Sequence, residues 1–166
     1  MDKKSILQRL NVEFVGRKVN VDEIDDRIIL QKIVFFLNEV GVGIGKYRFV
    51  METYGPFSQN LNNDIHDFSS EQEMYDGELI PRMNHAISFL KEEIFDKFNA
   101  KDPYSLREWI EAIASMLYLK KYSYPSSSWD QIIQKMTSTK QYLGNESENH
   151  AAISCCESIL SYKPEF

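Results

Sequence analysis

Apolar side chains at Ile24, Ile28, Ile29, Ile33, Phe36, Leu37 and Val40 recur every three to four positions, the period of an α-helix. In its second half Leu30, Val34 and Phe35 fill most of the remaining circumference. A helix apolar on nearly every side is a buried one, so this segment is expected at the centre of the fold. Asn20 or Asp22 can cap its first turn, Glu23 or Asp25 places acid at the positive end of the helix dipole, and Gly41 stops it. Gly41, Gly43 and Gly45 then interrupt regular structure. Residues 46–54 alternate large and polar side chains like a half-buried strand, which Gly55-Pro56 should end because proline cannot donate to a ladder. Ser58 is positioned to cap a helix with Leu61, Ile65 and Phe68 on one face.

The flanking pattern is helical as well. Residues 3–10 predict a short helix with Ile6, Leu7 and Leu10 inward. Residues 69–73 offer a serine with an acid three residues on, a capping box for one short turn that Asp76-Gly77 breaks. Pro81 suits the first position of an amphipathic helix through Met83, Ile87, Leu90, Ile94, Phe95 and Phe98 to about Asn99. Ser105 and Glu108 form the best-marked helix start, with Tyr104 placed to staple against Trp109, and that helix buries Leu106, Trp109, Ile110, Ile113, Met116 and Leu117. Ser128 with Gln131 and Asn145 with Glu148 open two more helices of similar length. Residues 128–163 are therefore expected to form a C-terminal helical hairpin. The reading is mainly α: a single domain over residues 1–166, with six to seven helices and a small β element near residues 47–53.

Composition narrows the function classes. A chain of 166 residues that is 43% hydrophobic can build one real core. A formal net charge of −6 argues against binding dominated by phosphate contacts. The most basic group, Lys3, Lys4, Arg9, Arg17 and Lys18, lacks the aromatic interleaving and the helix-turn-helix glycine of a nucleic-acid face, and reads as solvated surface. The N-terminus carries no secretory pattern and no apolar run is long enough to span a bilayer, so a cytoplasmic protein is expected, with Cys155 and Cys156 reduced.

Catalytic signals are weak. His66, His85 and His150 lie in separate elements, without the i, i+4 spacing of a helical metal pair. Asp64, His66 and Asp67 read as a solvated acidic face, because His66 points about 200° away from Asp64 on a helix. The adjacent cysteines read as small buried side chains. The Gly41–Gly45 triplet follows a helix instead of a strand, the wrong order for a dinucleotide site. No catalytic residue, cofactor or metal is expected. Gln31 and Lys32 are the odd residues, since they interrupt an apolar helix and must find partners or reach water. Either Lys32 snorkels and Gln31 bonds the backbone of the turn at Tyr54, or Gln31, Lys32 and Tyr54 belong to a recognition surface.

Leu30-Gln31-Lys32, then Tyr54-Gly55-Pro56-Phe57-Ser58, then Leu61 and Asp64, resemble the pattern of the YwgA-type bacterial proteins and of the wider Panacea, or SocA-like antitoxin, group. The resemblance covers about residues 24–68. Phe57 stands where tyrosine is usual and Asn60 where an acid is common. What it implies is a non-enzymatic module, antitoxin-like or associated with phage or defence, that binds a protein partner. Gln31, Lys32, Tyr54, Gly55, Pro56, Phe57 and Ser58 are the candidate partner-binding residues. The alternative is a winged-helix-like DNA-binding regulator built from the first helices and the strand. A hydrolase would need a pocket with convergent polar groups.

Overall fold

The computed structural model describes residues 2–68 and 72–164. Among them are seven α-helices: α1 (Lys3–Val15), α2 (Ile24–Glu39), α3 (Gln59–His66), α4 (Pro81–Glu93), α5 (Leu106–Tyr118), α6 (Trp129–Thr139) and α7 (Glu146–Leu160). The strands β1 (Val50–Glu52) and β2 (Gly55–Phe57) pair antiparallel, so the protein is mainly helical with one small sheet. No helix among the described residues is long and apolar enough to cross a membrane.

Helix α2 is buried as its pattern predicts. Every residue from Ile28 to Leu37 is buried, and α1, α3, α4, α5, α7 and β2 all pack against it. Helix α5 is the second central element, touching α2, α6, α7 and β2. In the expected C-terminal pair, α7 packs chiefly on α5, and α6 also rests on α5.

Several boundaries differ from the sequence reading, each for a local reason. Helix α1 runs five residues past Leu10, to Gly16 in the left-handed region, and its extra turns bury Asn11 and Phe14. The N-cap of α2 is Glu23, with no side-chain cap bond. Asp26 organises that start instead: it accepts from Asn20 N at 2.8 Å and holds Arg17 through two bonds of 2.6 Å. Residues 47–49 are not strand, and Pro56 sits inside β2 opposite Met51. In a two-stranded sheet each strand is an edge, so the missing proline N–H is tolerated. Helix α4 ends at Glu93 and gives way to a 3₁₀ turn at Phe95–Lys97. The capping box expected around Ser69 and Ser70 lies outside the described residues, and residues 72–80 are not helical.

The caps at Ser58, Ser105 and Ser128 form as expected, the last two as complete boxes. Asn145 accepts from Glu148 N at 2.9 Å, but its own N–H donates to Tyr104 Oη at 3.0 Å, and Tyr104 Oη donates to Asn149 at 2.8 Å. Tyr104 thus ties the start of α5 to the start of α7. Ser105→Ala should lower stability by about 0.5–2 kcal/mol, while Ser105→Asp is tolerated. Urea melts that find Asp as damaging as Ala would show that position 105 does not cap.

Candidate functional site

A cleft of about 370 Å³ opens between the first half of α2, the β1–β2 hairpin and α3. Its walls are Ile24, Ile28, Tyr54 and Phe57; Arg27, Glu52, Thr53, Gln59, Asn62 and His66 edge it, and Gln31 and Lys32 lie at its floor. Ile24 is 47% exposed and Tyr54 38%, so large apolar area faces the opening, with half-buried Phe57 between them.

The sequence-predicted residues divide by role. Gln31 is buried and reads both backbone groups of Ser58: its Nε2 donates to Ser58 O at 2.9 Å and its Oε1 accepts from Ser58 N at 3.0 Å. The expected bond to the backbone of the turn therefore exists, but four residues beyond Tyr54. Ser58 in turn caps α3, its Oγ accepting from Leu61 N at 3.3 Å. Gly55 and Pro56 are buried as well. Gln31, Gly55, Pro56 and Ser58 hold the hairpin onto α2 and present no surface; Tyr54 and Phe57 do.

Gly55 has a left-handed φ of +97°, and a Cβ there would lie 2.9 Å from Ser115 Oγ and 3.1 Å from Lys32 Cε. Only glycine lets the hairpin backbone come this close.

The Lys32 stem is buried and the residue is 1% exposed; its ammonium engages no protein acceptor among the described residues and is not fully buried, so it keeps a narrow contact with the cleft. Burial pushes its pKa down to about 7; Glu111 opposes that shift, while Lys140 and Arg107 add to it.

Behind the cleft floor lies a polar cluster that sequence reading missed. Glu111 on α5 is fully buried. Its Oε1 accepts from Arg107 Nη1 at 2.9 Å and its Oε2 from the Tyr142 hydroxyl, with Lys140 Nζ 3.8 Å from Oε2. Lys140 also donates to the carbonyls of Glu52, at 3.0 Å, and Thr53, clamping the hairpin tip to the end of α6. Burial pulls the Lys140 ammonium down, and it raises the Tyr142 phenol together with the bond to Glu111. The Arg107 guanidinium stacks 5.4 Å from the Tyr54 ring centroid and 5.7 Å from that of Tyr142, and pairs with Asp25 at 3.5 Å. The exposed ring of Tyr54 is therefore oriented from behind.

Comparison with family models, curated proteins and solved structures gives no match.

Elsewhere, Asp64 is not a solvated acid: Tyr47 Oη donates to it at 2.5 Å and Lys3 Nζ lies 3.2 Å away, while His66 turns to the cleft rim. No three His, Cys, Asp or Glu side chains gather as a metal site among the described residues. Cys155 and Cys156 are free and buried, and burial raises both thiols, Cys155 to about 11, far from a reactive thiolate at neutral pH. The one signal in the sequence for the hidden cluster is Arg107 and Glu111 at i, i+4, which ordinarily marks a solvated helix face.

Proposed function

We propose that this protein is a non-enzymatic interaction module of antitoxin-like type that receives a segment of a partner protein in the cleft between α2, the hairpin and α3. The observation that carries this reading is the pairing of exposed Ile24 and Tyr54 across a concave surface, with Tyr54 held in place by Arg107. An aromatic ring already ordered before binding loses little conformational entropy on contact, and such rings anchor interfaces. The resemblance over residues 24–68 supports the same class, and four of the residues that carry it, Gln31, Lys32, Tyr54 and Phe57, line this cleft.

The nucleic-acid alternative draws less support. Of the basic N-terminal group, Lys3 pairs with Asp64, Lys4 with Asp67, Arg9 with Glu13 and Arg17 with Asp26, which leaves little uncompensated charge for phosphates.

The test is a double variant, Ile24→Asp with Tyr54→Ala. Both side chains are part-exposed, and the loss of the Tyr54 ring over Arg107 should cost about 1–2 kcal/mol, so the variant is first shown to melt cooperatively before binding is read. A protein captured from the native host by the wild type should be lost by the variant. If that partner arrests growth when expressed alone, wild-type co-expression should relieve the arrest and the variant should not. A partner retained in full by the double variant overturns the assignment of this cleft.

A further inference from the structure

Resting on the partner-docking reading above, we propose that the segment received by the cleft presents a carboxylate, an aspartate or glutamate side chain flanked by apolar residues, and that this carboxylate meets the Lys32 ammonium at the cleft floor.

Three observations converge on it. Lys32 lines the cleft and is 1% exposed, and its ammonium engages no protein acceptor among the described residues while keeping a narrow contact with the cleft. A largely desolvated ammonium without a protein acceptor is an expensive arrangement that an incoming anion relieves. The acid that acts on Lys32, Glu111, is already engaged by Arg107 and Tyr142 and forms no direct ion pair with it among the described residues. The balance of charge in the cleft also runs against that of the whole chain: Arg27 and Lys32, with His66, face the single acid Glu52, on a protein of net charge −6. Long-range attraction for an acidic partner is therefore absent, and recognition must come from short-range contact inside the cleft. Finally, Ile24, Tyr54 and Phe57 wall the approach to Lys32. A bare inorganic anion would leave that apolar surface uncovered, whereas a peptide segment with apolar neighbours covers it.

The arrangement predicts a coupled protonation. The charged and titratable groups that act on Lys32 are Glu111 and Arg107 from α5 and Lys140 after α6; Arg27 on its own helix, Glu52 and Tyr54 from the hairpin and His66 from α3 line the same cleft, and Tyr142 bonds Glu111. Burial holds the free amine near neutrality, with a pKa of about 7, and a carboxylate against it favours the charged form. Binding above pH 7 therefore takes up a proton, and affinity should fall about tenfold or more between pH 6 and pH 9.

The experiment selects peptides from a random twelve-residue display library on the full chain, with the Ile24→Asp, Tyr54→Ala double variant as the counter-selection, and measures synthetic winners by calorimetry. Winners should share an Asp or Glu beside apolar residues. Changing that acid to its amide should weaken binding about tenfold or more, and Lys32→Met should abolish both this difference and the pH dependence. Winners that need Tyr54 but bind equally well as amides overturn the carboxylate and leave the docking cleft standing. No enrichment over the double variant overturns both. Inorganic phosphate or acetate binding at Lys32 as tightly as the best peptide, read from the Lys32 Cε resonance, overturns the partner segment in favour of a small free anion.

Discussion

Lys32→Met should stabilise the protein most at pH 6 and progressively less towards pH 10. In the unfolded chain the lysine titrates at its ordinary value of 10.5, whereas burial lowers it to about 7 in the fold. Between those values the unfolded state binds more protons than the native one, so the contribution of Lys32 to stability rises with pH across that window. Below pH 7 both states carry the proton and the full penalty of a buried ammonium is present. Methionine fills nearly the same volume without a charge and escapes that penalty at every pH. The advantage of the variant at pH 6 over its advantage at pH 10 should be on the order of 4 kcal/mol. Urea denaturation of both proteins at four pH values measures it, and taking the difference cancels the titration of all other groups that the substitution leaves alone. A difference that stays flat from pH 6 to 10 would mean that Lys32 keeps its charge in the fold and that burial does not desolvate it.

Glu111→Ala should be the most damaging single change in the polar cluster, at about 3–5 kcal/mol, because it strands buried cations. Glu111 is fully buried and answers Arg107 directly, Lys140 at 3.8 Å and Lys32 electrostatically. Its loss also leaves the Tyr142 hydroxyl only its 3.3 Å bond to Thr53 O and, with Lys140 unbalanced, loosens the clamp on the hairpin tip. The damage should be coupled to Lys32. In the Lys32→Met background Glu111→Ala should cost less, with a coupling free energy of about 0.5–3 kcal/mol. Additive effects would show that Lys32 and Glu111 do not sense each other, and the account of the cluster would fail.

These two residues also show where sequence reading reached and where it stopped. Lys32 was conspicuous because it interrupts a run of apolar residues on α2, and the break in pattern pointed to the right position. The pattern leaves its charge open: the hairpin backbone at Gly55 packs against the end of the lysine stem, so the ammonium meets water only through the cleft. Glu111 was invisible. Four residues after Arg107, it matches an ordinary surface ion pair, and only the arrival of Tyr142, Lys140 and the hairpin around α5 turns that pair into a buried cluster.

Local chemistry was determined by the sequence alone. The central burial of α2 follows from its nearly unbroken apolar circumference, and the starts of α3, α5 and α6 follow from serine caps that act within three residues. Such signals are short-range, so they survive without knowledge of neighbours. The cleft belongs to tertiary structure. Its wall at Ile24 and its wall at Tyr54 are thirty positions apart in a chain whose separations set no distance until α2 and the hairpin pack. The charge state of Lys32 depends on residues 75 and 108 positions downstream, Arg107 and Lys140, because electrostatic energy in a buried site is governed by separation in space and exclusion of water.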